Sequence, residues 1–291
     1  MTASMTLPPP TSRPAAPTRP SPPPPPASPA GGGSTAAARK KVSFGAIGSQ
    51  GHRVVLYGPG GIGKTTLAAA APGPVAFIDL DESMSVLRPQ LDDDRDIRIV
   101  SGVSGWQDLR DVLIASGWDD IKTLVIDSVT KAEELAGQHV LENVPLDNGR
   151  KAQRLEDYGW GKQFGHIYDT FLALLGDLDQ HVRAGRNIIL IAHDCTTEVP
   201  NPAGANWLRY EPRLQSPASG KNSIRLRARE WADHVLFCGY DVDVRDGKGT
   251  GSGTRTIYPV ELPHCMAKSR VADAAMALAK GDASVWENII K

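Results

Sequence analysis

The stretch Gly58-Pro59-Gly60-Gly61-Ile62-Gly63-Lys64-Thr65 constrains this chain more than any other. It has the spacing G-x-x-x-x-G-K-[ST] of a phosphate-binding loop, and its flanks fit: Arg53 to Tyr57 reads as a strand and Lys64 to Ala70 as a helix. Glycines at 58, 60, 61 and 63 let the backbone turn its N–H groups inward, so that donors and a helix N-terminus surround the phosphates of a nucleotide. In that frame Lys64 reaches the β and γ phosphates and the Thr65 hydroxyl sits on Mg²⁺, with Pro59, Ile62 and Thr66 completing the lining.

The rest of the folded chain alternates strands and helices around that loop. Pro72-Gly73-Pro74 stops the first helix, and Val75-Ala76-Phe77-Ile78 forms a second buried strand that ends on acid at Asp79, Asp81 and Glu82. Asp96 to Val100 reads as a short strand, and Trp106 to Ser116 as an amphipathic helix with Leu109, Val112 and Leu113 inward. Thr123-Leu124-Val125-Ile126-Asp127-Ser128 is an apolar strand ending in a carboxylate, the Walker B pattern. Its chemistry requires Asp127 at the C-terminal edge of a parallel strand beside the loop, where it holds Mg²⁺ directly or through water. Residues 129 to 143 read as helix. A longer helical stretch from 152 to 184 is loosened by Gly159, Gly161 and Gly165, and Asn187 to Ala192 is a buried strand with His193 at its tip.

From Asp194 to Ser223 the periodicity disappears among Pro200, Pro202, Gly204, Pro212, Pro217 and Gly220, which predicts a long functional or mobile loop. Trp207, Arg209, Tyr210, Arg213 and Lys221 lie within it and Arg225 just beyond. Aromatic rings that stack on bases and cations that follow phosphates are what single-stranded nucleic acid binding needs. Another strand lies between Trp231 and Tyr240, Asp241–Val244 and Arg255–Val260 read as a hairpin, and short helices close the chain over 272–290.

Composition sets outer limits. The net charge of −1 argues against coating nucleic acid by bulk charge, while leaving room for a local basic groove. Cys195, Cys238 and Cys265 are odd in number and far apart, which suggests neither a disulfide framework nor a zinc site and fits a reducing cytoplasm. No apolar run approaches membrane-spanning length, and the N-terminus lacks the apolar core of a signal peptide. Residues 1–40, rich in proline and closed by Gly31-Gly32-Gly33, read as a disordered tail. Residues 41–270 read as the ATPase domain and 271–291 as a short helical C-terminal segment.

The combination of G-P-G-G-I-G-K-T-T, F-I-D-L-D-E, L-V-I-D-S-V-T, Y-G-W-G-K-Q-F, I-L-I-A-H and A-K-S-R resembles the phage-encoded AAA-type ATP-binding proteins of RecA-like fold, over roughly residues 42–270. Some of that group are recombinases or single-strand annealing proteins. The resemblance implies an α/β fold of RecA-like P-loop NTPase type. Its mostly parallel sheet is covered by helices on both faces, with at least one strand, Val75 to Ile78, between the P-loop and Walker B strands and a C-terminal β-hairpin extension.

It further implies that Asp81, or its neighbour Glu82, orients the attacking water and that His193 is a polar sensor of the γ-phosphate. Lys268 and Arg270 would be inserted at a neighbouring subunit's site. The implied cofactors are ATP and Mg²⁺. The implied partners are single-stranded DNA, further copies of the chain in a ring or filament, and a single-strand-binding protein or replisome component; no membrane is implied. The setting would be the cytoplasm, of a bacterial host if phage-encoded. An ATP-driven helicase or helicase loader is one alternative, and a nucleotide-gated annealing module without turnover is another.

Overall fold

The computed structural model describes residues 42–46, 48–245, 248–279 and 282–290. Residues 47–291 form one compact unit, separate from residues 1–46; the proline-rich tail expected over 1–40 lies outside the described residues. The unit is built on an eight-stranded sheet. Its elements run β1 (Arg53–Tyr57), α1 (Lys64–Ala69), β2 (Val75–Asp79), α2 (Met84–Leu87), β3 (Ile97–Ile99), α3 (Trp106–Ile114), β4 (Thr123–Asp127) and α4 (Val129–Asn143). Then come α5 (Lys162–Arg183), β5 (Asn187–Ala192), β6 (Asp194–Val199), β7 (Trp207–Pro212), α6 (Ile224–Trp231), β8 (His234–Arg245), β9 (Lys248–Tyr258), β10 (Met276–Ala277) and α7 (Ser284–Ile289).

The strand order is β10-β9-β8-β1-β5-β4-β2-β3, with β3, β2, β4, β5, β1 and β8 all parallel. The expected RecA-like α/β architecture is present. β5, the strand tipped by His193, lies between the P-loop strand and the Walker B strand in the sheet, and β2, which falls between them in the chain, lies on the far side of β4.

Both faces of the sheet are buried over β1, β2, β4 and β5, so those strands are apolar at nearly every position. Successive residues feed opposite layers. Val55 and Tyr57 of β1, with Leu124, Ile126, Ile188 and Leu190, pack against α3, α4, α5 and α6, including Leu109, Val129, Phe171 and Ala228. Val54 and Leu56, with Phe77, Val125, Ile189 and Leu236, pack against α1 and α7 through Leu67, Ala68 and Trp286. The C-terminal residues are part of this second layer. β10 pairs with β9, and Trp286 is 2% exposed with its Nε1–H donated to Leu67 O of α1 at 2.8 Å.

Three readings are corrected. The expected loop after His193 contains a two-stranded antiparallel sheet, β6–β7, outside the main sheet. Its strands are short and half-exposed, and the prolines and glycine between them mask the signal. The strand after Trp231 and the first arm of the expected hairpin are one continuous strand, β8, paired on one side with β1 and on the other with β9. The closing segment holds one strand and one helix rather than helices alone.

At the N-terminal edge of the sheet His234 is fully buried, with Nε2 3.1 Å from His52 Nδ1 and Nδ1 2.9 Å from Ser269 Oγ. Burial, reinforced by His52, Arg270 and Lys268 and opposed by Asp233, pushes its pKa down to about 4. A depressed histidine pKa means the unfolded chain takes up a proton first. The stability from neutral His234 is therefore present above its ordinary value of 6.5 and lost as pH falls towards 4. Urea midpoints should fall by the equivalent of ~1–3 kcal/mol between about pH 7 and pH 4.5. His234→Gln should flatten that slope, and an unchanged slope in the variant would assign the acid sensitivity elsewhere.

Candidate functional site

The parallel register brings the C-terminal ends of β1, β5, β4 and β2 to one edge, and the loops leaving those ends carry the site. Tyr57 pairs with Ala192, and Asp127 with both Ile191 and Asp79. Gly58 starts the phosphate-binding loop at φ 151°, where a Cβ would lie 2.1 Å from Cys238 O of β8. Only glycine permits that approach, because both the backbone angle and the space exclude a side chain. Gly63, in the left-handed region, delivers the chain into α1.

Around the loop the side chains converge. Lys64 is buried and donates from Nζ to Gly58 O at 2.7 Å and Pro59 O at 2.9 Å. Burial lowers its pKa, against the opposing pull of Cys238, Asp127, Asp194 and Asp81. The Thr65 hydroxyl donates to Asp127 Oδ2 at 2.7 Å. Burial pushes the Asp127 carboxyl up, as do Asp81 and Asp79, while the Thr65 hydrogen bond and Lys64 act the other way. A hydroxyl and a carboxylate side by side, crowded by two further carboxylates, form an oxygen-rich donor set suited to a hard divalent cation such as Mg²⁺.

A cavity of about 600 Å³ opens over this cluster. Gly60, Gly61, Gly63, Lys64, Thr65 and Thr66 form its floor, and Asp81, Asp127 and His193 one wall. Gly58, Pro59 and Ile62 shape the loop without lining that cavity. Asp81 approaches His193, with Oδ2 3.3 Å from Nε2. Glu82, at φ 55° and exposed, lines an adjoining cavity with Asp81, Lys131, His193 and Arg213. Of the two acids, Asp81 is the one that lines the loop's cavity.

The His193 backbone is locked into the fold by a closed set of hydrogen bonds. Its N–H donates to Thr130 Oγ1 at 3.1 Å, Thr130 Oγ1 donates to Arg213 O at 3.3 Å, and Arg213 N–H donates to His193 O at 2.8 Å. The tip of β5, the first turn of α4 and the residue after β7 are thereby joined.

Other expected site residues lie elsewhere. Lys268 pairs with Val235 at the opposite edge of the sheet, and its ammonium donates to Arg229 O and Ala232 O at the end of α6. Arg270 is bound to Asp233 at 2.8 Å. Neither approaches the loop of its own chain. Arg209 pairs with Glu211 and Glu261, and Arg225 is buried against Glu211 and also donates to Pro212 O. These two arginines are structural ion-pair partners, correcting the expectation that they face a nucleic acid. Trp207, Tyr210, Arg213 and Lys221 are exposed.

The sequence reading gave Asp79 no role beyond the acidic strand end, although its carboxylate accepts from Ser83 N and Met84 N and so seats α2. It also missed Ser83, whose Oγ lies 3.4 Å from Asp127 Oδ2. Thr130 and Arg255 escaped notice as well. The start of α4 two residues beyond Asp127 could have pointed to Thr130; nothing local points to Arg255, which reaches Ile62 O from β9 at 2.9 Å.

A family profile described as an AAA domain matches residues 50–271. The chain belongs to that AAA-domain family. The match spans every element from β1 to β9, so the loop and the acidic cluster are those of a P-loop NTPase. A KaiC-like protein from the hyperthermophilic archaeon Pyrococcus horikoshii OT3 is similar at 20% identity and a TM-score of 0.38, over 72% of this chain and 78% of that one. No curated protein matches. Among the described residues no helix is long and apolar enough to cross a membrane.

The 3.3 Å contact makes Asp81 and His193 one unit, so their effects on nucleoside triphosphate turnover should not add. Asp81→Asn and His193→Ala are each expected to slow turnover at least ~10-fold, and the double variant little more than the worse single one. Losses that multiply would show that the two groups act separately.

Proposed function

We propose that this protein is a Mg²⁺-dependent ATPase whose turnover is coupled to single-stranded DNA, in recombination, annealing or replication of phage type. The observation that carries the nucleotide half is the 2.7 Å hydrogen bond between Thr65 and Asp127 at the floor of the P-loop cavity. It supports a single site in which loop, cation ligands and water-orienting acid act together.

In this reading the loop amides and the Lys64 ammonium hold the β and γ phosphates; the lysine exchanges its carbonyl partners, Gly58 and Pro59, for phosphate oxygens. Thr65 and Asp127 would hold Mg²⁺, which when bound neutralises charge on the phosphates. Asp81, facing the cavity, orients a water for in-line attack on the γ-phosphorus and accepts its proton as the bond to ADP breaks. His193 donates to a γ-phosphate oxygen from the same wall.

The DNA half rests on the hairpin that leaves His193. β6 begins at the next residue, β7 returns to Arg213, and the hairpin exposes Trp207, Leu208 and Tyr210. Aromatic faces on a projecting hairpin suit base stacking, and exposed Arg213 and Lys221 suit a phosphate chain. Because Thr130 and Arg213 tie the His193 backbone to the end of β7, a shift of His193 on hydrolysis would move the hairpin.

The test is ATP hydrolysis with and without single-stranded DNA. Single-stranded DNA should raise the rate several-fold, with an affinity that falls as salt rises, and Trp207→Ala should remove most of the stimulation while leaving the basal rate. Rate and binding both indifferent to DNA would sink the DNA half. DNA annealing that survives Asp81→Asn would favour a nucleotide-gated module without turnover.

A further inference from the structure

Two half-buried arginines lack a carboxylate partner among the described residues: Arg186, which donates to His181 Nδ1 and Trp118 O, and Arg255, which reaches the phosphate-binding loop. Arg53 pairs with Asp179 at 2.9 Å, Arg110 with Asp177 at 2.6 Å, and Arg209 and Arg225 share Glu211. Arg255, half-buried on β9, has no carboxylate partner among the described residues. One of its N–H groups donates to Ile62 O within the phosphate-binding loop at 2.9 Å. A Cβ placed on Gly63 would come within 3.1 Å of its Nη1, so the guanidinium lies against the loop where the chain enters α1.

Burying an arginine without a carboxylate is costly, and a guanidinium offers five donors in a fixed fork suited to phosphate oxygens. Arg255 also lines the P-loop cavity, where it and Lys64 are the basic side chains beside His193, and Asp81, Asp127 and Asp282 the acids. A triphosphate brings more negative charge than one lysine and one divalent cation offset, so the cavity needs a further cation.

Its backbone is held from both sides. Arg255 pairs with Tyr240 of β8, and its carbonyl accepts from Leu278 N at 2.8 Å. The strand beneath, β8, presses against Gly58 through Cys238 O.

We propose that Arg255 is a nucleotide ligand: a second phosphate-binding cation, supplied within the same chain by the antiparallel strand β9 and carried to the loop from outside the parallel part of the sheet. This rests on the nucleotide-binding reading above. It makes the β8–β9 hairpin a part of the nucleotide site, so that occupancy of the site is felt along that hairpin.

The experiment is calorimetric titration of ATP with Mg²⁺ into the wild-type chain, Arg255→Ala and Arg255→Lys, with the thermal melt of each nucleotide-free protein alongside. Loss of a charge-assisted phosphate contact should raise the Kd of Arg255→Ala by about 10- to 100-fold. The melting temperature should stay close to wild type, and Arg255→Lys, which keeps the charge, should lie between the two. An alanine variant within about twofold of wild type overturns the proposal, since the arginine would then only brace Ile62. A lysine variant as weak as alanine, beside an unchanged melting temperature, would still support the proposal and assign the contact to the guanidinium's fork rather than to its charge alone. Wild-type protein that binds no ATP overturns both this proposal and the nucleotide reading, whereas ATP binding unaffected by either variant overturns this one alone.

Discussion

The hydrogen bond from Thr65 to Asp127 is the interaction on which the rest of the site depends. It joins the first helical turn after the loop to the end of a strand two places away in the sheet, across the intervening β5. That span is available only because β1, β5 and β4 are parallel and in register, so that their C-terminal ends form one edge. Parallel strands require crossover connections, and the helices that make those crossovers cover both faces. The apolar strands, the two-sided core and the polar edge therefore follow from a single arrangement. A slip of one residue in β4 would turn Asp127 into the core and bring an isoleucine or serine to the cation site.

Much of this was legible in the sequence because the signals are local. The P-loop spacing, the three apolar residues before Asp127 and the run from Asn187 to Ala192 each lie within one element, and each strand ends close to where periodicity places it. His193 was legible by position, as the polar residue after a buried strand. What was not legible is long-range. Arg255 is separated from Ile62 by most of the chain, and nothing in its surroundings distinguishes it from an exposed strand residue. The β6–β7 hairpin was hidden because its strands stand clear of the main sheet and bury little, so they lack apolar alternation; Thr196, Thr197 and Val199 were the faint trace it left.

The arginine and lysine residues show why residue type alone misleads. Arg209 lies between Trp207 and Tyr210 and Arg225 just beyond their loop, and together these residues have the composition of a nucleic-acid surface. Geometry gives the two arginines to Glu211, which is 5% exposed and bound from two sides. A buried carboxylate requires such partners, and two guanidinium groups that satisfy it are not free to follow a phosphate chain. The hairpin thus keeps Trp207 outward and stacks one face of Tyr210 on Phe237, while Arg209 and Arg225 of α6 fasten its base.

The same logic separates the two edges of the sheet. At the C-terminal edge polar groups meet across a cavity: Asp81 touches His193, Asp79 seats α2, and Arg255 approaches the loop without a carboxylate of its own. At the N-terminal edge they are consumed: Arg53 and Arg270 share Asp233, Lys268 covers the last carbonyls of α6, and His234 is enclosed by His52 and Ser269. Lysine near a helix C-terminus offsets the negative end of the helix dipole, which is a structural use of charge. Groups at the first edge have donors and acceptors still turned towards a cavity, and those at the second have theirs engaged by the fold. That difference concentrates the chemistry of this chain on the face where β1, β5, β4 and β2 end.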